Sequence, residues 1–218
     1  MSALWPSASV AEWEAVYTTY ASVRDALEEN LCALETWFQD DLPGLVQDQG
    51  LITQVQLSKL MQWKLSKGKW RPRLQSFVDA LSDKEVQDLS RKAFAASKKK
   101  AYREAIASLS EMKGVGPATA SAILAAFDPD VPFMGDEALN AVASEIGARQ
   151  YTLPHFMRFL AALQSKAQTL NAKGSSTDWT AQKVQVCLWL EAAVEAAPSK
   201  KRGAAATAKP AAKKAKRK

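Results

Sequence analysis

The sequence predicts an all-α protein: one helical body, residues 1–197, followed by a disordered basic tail, residues 198–218. Three observations carry this. Apolar residues recur three and four apart almost throughout the body, no segment alternates with period two long enough to make a strand, and large apolar residues all but vanish after Pro198.

The first helix is expected to follow Ser9, burying Trp13, Val16, Tyr17, Tyr20, Val23 and Leu27 and continuing through Leu31 and Leu34 to Phe38. Asp40-Asp-Leu-Pro-Gly44 should end it. Thr53 and Gln56 form a capping-box pattern in front of Leu57, Leu60 and Met61, and Gly68 should close that helix. A stripe of Leu74, Phe77, Val78 and Leu81 follows. Ser82 with Glu85 repeats the capping-box pattern before Val86, Leu89 and Phe94. Tyr102, Ile106 and Leu109 lead into a glycine-containing turn, residues 102–127 forming one hairpin. Beyond it are expected a helix with Leu139, Val142 and Ile146, one with Phe156, Phe159, Leu160 and Leu163, a polar loop from Asn171 to Thr177, and a last helix with Val184, Leu188 and Val194.

Composition narrows the function. With 47% hydrophobic residues the chain can bury one ordinary core. Its apolar runs are too short for the roughly 20 residues of a membrane span, so no membrane contact is expected. The start, Met1 to Pro6, lacks a basic region followed by an apolar block, so no secretory leader is expected. Cys32 and Cys187 should be free thiols in a reducing compartment, and with His155 they cannot furnish a zinc site or an iron–sulfur cluster. No cofactor or metal is expected. The net charge of +6 is uneven: nine of the 29 basic residues lie beyond Pro198, which leaves 20 against 23 acidic ones, so the body carries about −3. Phosphate binding by the body must therefore be local.

One stretch suits such a contact: Leu109-Ser-Glu-Met-Lys-Gly-Val-Gly-Pro-Ala-Thr-Ala-Ser-Ala-Ile-Leu124. Gly114 and Gly116 permit a tight turn with φ above zero. Pro117 fits the first position of the second helix, and small residues behind it let two helices approach closely. The free amides of such a corner, at a helix N-terminus, suit an anion. A bland alternative is an interhelical turn with a glycine C-cap.

The run Lys113-Gly-Val-Gly-Pro-Ala-Thr-Ala120, together with Val131-Pro-Phe-Met-Gly-Asp-Glu-Ala138, resembles the helix-hairpin-helix DNA glycosylase superfamily. In those enzymes the loop after the second hairpin helix carries a catalytic aspartate, at the same distance beyond the glycines as Asp136 lies beyond Gly116. The resemblance covers about positions 50 to 190, with its strong signal from Leu109 to Val142. The blocks Leu60 to Arg73 and Arg91 to Phe94 are similar to its Amun-like nuclear branch in eukaryotes. The resemblance implies a DNA glycosylase-like fold and double-stranded DNA as partner, bound through Lys113, Gly114, Val115, Gly116, Ala118 and Thr119. It also implies a role for Asp136 in base excision repair. Ala118 stands where bifunctional members place a nucleophilic lysine, so the implied enzyme is monofunctional. The alternative is a non-catalytic DNA- or chromatin-binding adaptor. For Asp136 the competing role is a helix N-cap worth about 1 kcal/mol.

The basic stretch Lys64, Lys67, Lys69, Arg71 and Arg73, interleaved with Trp63 and Trp70, could add phosphate contacts and a stacking ring, the tryptophans being as readily core residues. Lys98, Lys99, Lys100 and Arg103 could join the same face or form only a solvated turn. His155 is expected to be structural rather than a general base. In the tail, Lys200, Lys201 and Arg202, then Lys213, Lys214, Lys216, Arg217 and Lys218, have the spacing of a bipartite nuclear import signal. A nuclear, monomeric protein that meets an import receptor through this tail is expected.

Overall fold

The computed structural model describes residues 2–68, 71–174 and 178–196, and all the regular structure among them is helical. The N-terminal third departs from the single long helix expected there. It is divided into α1 (Val10–Tyr17), α2 (Tyr20–Asp25), α3 (Glu29–Thr36), a π-helical turn at Trp37–Asp41, and α4 (Leu42–Gln49). At the first break the Thr18 and Thr19 hydroxyls donate to the carbonyls of Ala15 and Val16, competing with the helical ladder. Asp40 to Gly44 does not end the helix. Pro43, which lacks an amide and whose ring would meet the carbonyl four residues back, is taken up at the start of α4 behind the widened π turn. Gly50, at φ +66°, then closes α4.

The next helices follow the sequence signals closely. α5 (Gln54–Lys67) opens on the Thr53/Gln56 capping box with both reciprocal bonds made, and ends at Gly68. α6 (Pro72–Asp79) carries Pro72 at its first position, and α7 (Asp83–Lys98) is capped by the Ser82 hydroxyl, which accepts from the Glu85 amide. α8 (Tyr102–Leu109) and α9 (Pro117–Phe127) are the hairpin pair. Every residue of α9 after Pro117 is buried, which explains a helix apolar on all sides: α4, α5, α7, α8 and α12 pack around it.

The expected helix through Leu139 and Ile146 is split at Val142 into α10 (Asp136–Ala141) and α11 (Ala143–Ile146). α12 (Leu153–Lys173) runs further than expected. Asn171 belongs to the helix and not to a loop, its side-chain amide donating to the Trp179 carbonyl and accepting from the Trp179 amide. α13 (Ala181–Ala196) completes the described chain. One contiguous apolar cluster extends from Leu4 to Leu188, and both cysteines are free thiols. Trp63 is among its most deeply buried side chains, stacked on Phe38 with ring centroids 3.6 Å apart and tilted against Phe133 at 5.0 Å. It is a core residue and no stacking platform for a base.

Candidate nucleic-acid interface

The hairpin corner between α8 and α9 is held from behind by Met112 and Val115, both buried. Only one of its glycines needs to be glycine. Gly114 sits at φ +88°, and a Cβ there would come within 2.9 Å of the Phe77 Cβ on α6. Gly116 has φ −98° and ψ −179°, extended backbone that any residue adopts, and the space beside it is open. Val115 donates its amide to the Met112 carbonyl (3.1 Å), and Thr119 and Ala120 donate theirs to the Gly116 carbonyl (2.9 Å each). The amides of Lys113, Gly114, Gly116 and Ala118 have no acceptor among the described residues. Of the six hairpin residues implied by the resemblance, Val115 and Thr119 thus have their amide donors occupied and their side chains buried.

Open amides at this corner face a cleft of about 310 Å³, at the lower end of the range for ligand sites. Gly114, Gly116, Ala118 and Thr119 form one wall. Phe133, Met134, Gly135, Asp136 and Glu137 form the second, and Lys64, Lys67 and Arg71 the third, with Tyr151 at the edge. The two sequence blocks that carry the family resemblance therefore meet across one cavity. Two buried side chains fasten the second wall: the Ser121 hydroxyl accepts from the Met134 amide (3.0 Å), and the Gln182 side chain accepts from the Phe133 amide (2.9 Å).

Asp136 is the first residue of α10, and the preceding Gly135 occupies the cap position, with no side-chain capping bond. The competing N-cap role thus fails on geometry. Its carboxylate instead accepts from the Tyr151 hydroxyl and forms an ion pair with Arg149 (Nη1–Oδ2 3.0 Å). Burial first, and then the bond to Asp136, push the Tyr151 phenol up to about 12, so it stays protonated and donates at any physiological pH. The Asp136 side chain is 49% exposed, open to a molecule in the cleft.

Beneath this site lies a charged pair that the sequence reading missed. Glu35 of α3, fully buried, accepts from the Trp63 indole (2.7 Å), the Lys67 ammonium (2.8 Å) and, through its other oxygen, the Gln39 amide (3.1 Å). Lys67 also lies 3.4 Å from the centre of the Trp189 ring. Desolvation lowers its pKa against the opposing pull of Glu35. Lys67, expected as a solvent-facing phosphate contact, is thus a structural cation in the cleft floor. The one signal was an acidic residue set directly beside Leu34 in the apolar stripe of α3.

The remaining cations divide. Lys64 and Arg71 line the cleft. Arg73 is exposed but does not line it, and Lys113, also exposed, lies over the Phe77 ring at 4.6 Å. Lys69, Trp70 and the whole proposed import signal lie outside the described residues. His155 is fully buried in α12, its Nδ1 3.2 Å from the Arg158 guanidinium and its Nε2 without a partner among the described residues. It is remote from the cleft lining.

No family model, curated protein or solved structure matches the chain. Within the site, the geometry offers a concave surface with backbone donors on one side, a carboxylate held by two partners on another, and two cations. Phosphates suit the donors and cations. The half-exposed carboxylate suits a centre that gains positive charge during reaction.

Proposed function

We propose that the protein is a nuclear DNA-binding protein of the helix-hairpin-helix glycosylase type that removes a damaged base by hydrolysis. One observation carries the reading: the open amides of the hairpin corner and the Asp136 carboxylate line the same cleft. A duplex would rest its phosphates on Gly114, Gly116 and Ala118, with Arg71 beside them, and the target nucleotide would turn out of the stack into the cleft. Asp136 stabilises the positive charge developing on the sugar and orients the attacking water. Arg149 and Tyr151 keep its carboxylate in place. Ala118 lies in the hairpin wall, where it offers no nucleophile to the cleft.

The test is base release from duplexes carrying alkylated, deaminated or oxidised bases, comparing wild type with Asp136→Asn. Release by the wild type and its loss in the variant is the expected result. Absence of release from every substrate removes the enzyme reading. A second reading, a non-catalytic DNA-binding adaptor, is favoured by the occupation of both Asp136 oxygens, by Tyr151 and Arg149. It predicts duplex binding that Asp136→Asn leaves intact and no base release.

A further inference from the structure

The amine of Lys64 has no assigned work in hydrolytic base release, and its surroundings are unusual for a lysine. It projects from the last turns of α5 into the cleft, opposite the hairpin wall. Most of its side chain is shielded from solvent, yet its Nζ makes no hydrogen bond and no ion pair with any described residue. The contrast with Lys67, one turn on, is direct: that amine is bound to Glu35 and lies over Trp189, so it cannot react. Asp136 is the carboxylate whose charge reaches Lys64, and Arg71 is the cation beside it. Burial and the Arg71 charge lower the pKa of Lys64, while Asp136 opposes them, so more of the amine is neutral than in an exposed lysine. A desolvated, unpaired amine beside a carboxylate in a closed cavity has the features of a Schiff-base nucleophile.

We propose that Lys64 is the nucleophile of a second activity, a lyase step on the aldehyde of a base-free deoxyribose held in the cleft. This rests on the reading above that DNA presents an extruded nucleotide there. The neutral Nζ adds to C1′ of the ring-opened sugar, and loss of water gives a protonated imine. Asp136 takes a proton from C2′, the electron pair forms the C2′–C3′ double bond, and the C3′–O bond breaks with the phosphate leaving. Water then hydrolyses the imine, releasing the unsaturated aldehyde and restoring the amine. No redox partner is required. The amine approaches from α5 and not from the hairpin helix, so Ala118 is no obstacle.

The experiment uses the full-length protein and a duplex containing a single pre-formed abasic site, which makes the result independent of base release. Sodium borohydride reduces an imine to a stable protein–DNA adduct that is read on a denaturing gel. Affinity for a duplex carrying a non-reactive tetrahydrofuran abasic analogue is measured in parallel. The expected result is an adduct with wild type whose cross-linked peptide contains Lys64, reduced at least tenfold in both Lys64→Ala and Lys64→Arg while analogue binding by Lys64→Arg stays within about twofold. Retention of binding by the arginine variant separates a nucleophile from a mere phosphate contact, which arginine would replace. Adduct formation undiminished in both variants assigns the chemistry to another amine, such as one of the tail, and overturns the proposal. Binding of the analogue without any adduct overturns it too and leaves the glycosylase reading standing. Failure to bind the duplex at all sinks both.

Discussion

Replacing Lys67 with methionine leaves the fully buried Glu35 carboxylate with only the Trp63 indole and the Gln39 amide as donors. Lys67 contributes the one full positive charge in contact with it, at 2.8 Å, and the pair is shielded on one side by Trp63 and on the other by Trp189. Breaking a buried pair by removing one partner costs about 3–5 kcal/mol, because the remaining charge stays desolvated. With a urea slope of about 2 kcal/mol per M, the unfolding midpoint should fall by roughly 2 M. The double variant Glu35→Gln, Lys67→Met removes both charges and keeps similar volumes, so it should regain most of that loss. The assay is urea unfolding of wild type, both single variants and the double variant, followed by tryptophan fluorescence. A coupling of about 2 kcal/mol or more is expected for groups in one network. A Lys67→Met cost below about 1 kcal/mol, or a double-variant cost equal to the sum of the singles, refutes the assignment of this pair as the floor of the cleft.

Gly114→Ala, which places a side chain at φ +88° and 2.9 Å from Phe77, should lose about 1–3 kcal/mol of stability by thermal melting, whereas Gly116→Ala should lose about 1 kcal/mol or less and still weaken duplex binding. Equal stability of the two variants would contradict the turn geometry. Arg71→Ala should lower the salt slope of duplex binding by about one, and an unchanged slope removes Arg71 from the phosphate contacts. His155 is buried beside Arg158, and burial first and that charge second lower its pKa below 6.5. The unfolded chain then binds a proton that the folded one refuses. Stability should therefore fall as the pH drops below about 6.5, at up to about 1.4 kcal/mol per unit, until the depressed folded pKa is reached. His155→Gln should flatten that slope in melting curves taken from pH 7.5 to 5, and an identical slope rules out His155 as its source. Deleting residues 198–218 should disperse the protein into the cytoplasm, and retained nuclear accumulation would contradict an import role for the tail.

Signals confined to a few neighbouring residues were legible in the sequence. The reciprocal Thr53 and Gln56 bonds, Pro117 at the start of α9 and the left-handed Gly114 each follow from local backbone chemistry. The positions of α5, α7 and α9 followed with them. Gly116 was misjudged because a glycine beside a turn allows positive φ without requiring it. The division of α1 to α4 was hidden for a related reason: apolar spacing stays in phase across Thr18 and Thr19, so the stripe reads as continuous even where hydroxyls interrupt the ladder. Within the site, Asp136 was visible from its spacing, but Arg149 and Tyr151 reach it from beyond α11, and nothing near Asp136 announces them. The Glu35–Lys67 pair joins α3 to α5 across a separation of 32 residues, and only packing reveals that both ends are inside. Lys67 and Lys64 look alike in the sequence. Their environments make one a structural ion and leave the other facing the cleft.

Amide chemical-shift mapping offers the most direct test of the shared cleft. A ¹⁵N-labelled sample titrated with a short duplex containing one tetrahydrofuran abasic analogue should shift or broaden the amides of Gly114, Gly116 and Ala118 together with that of Asp136, saturating at one common dissociation constant. Saturable binding that moves other regions while those four resonances stay in place would contradict the account.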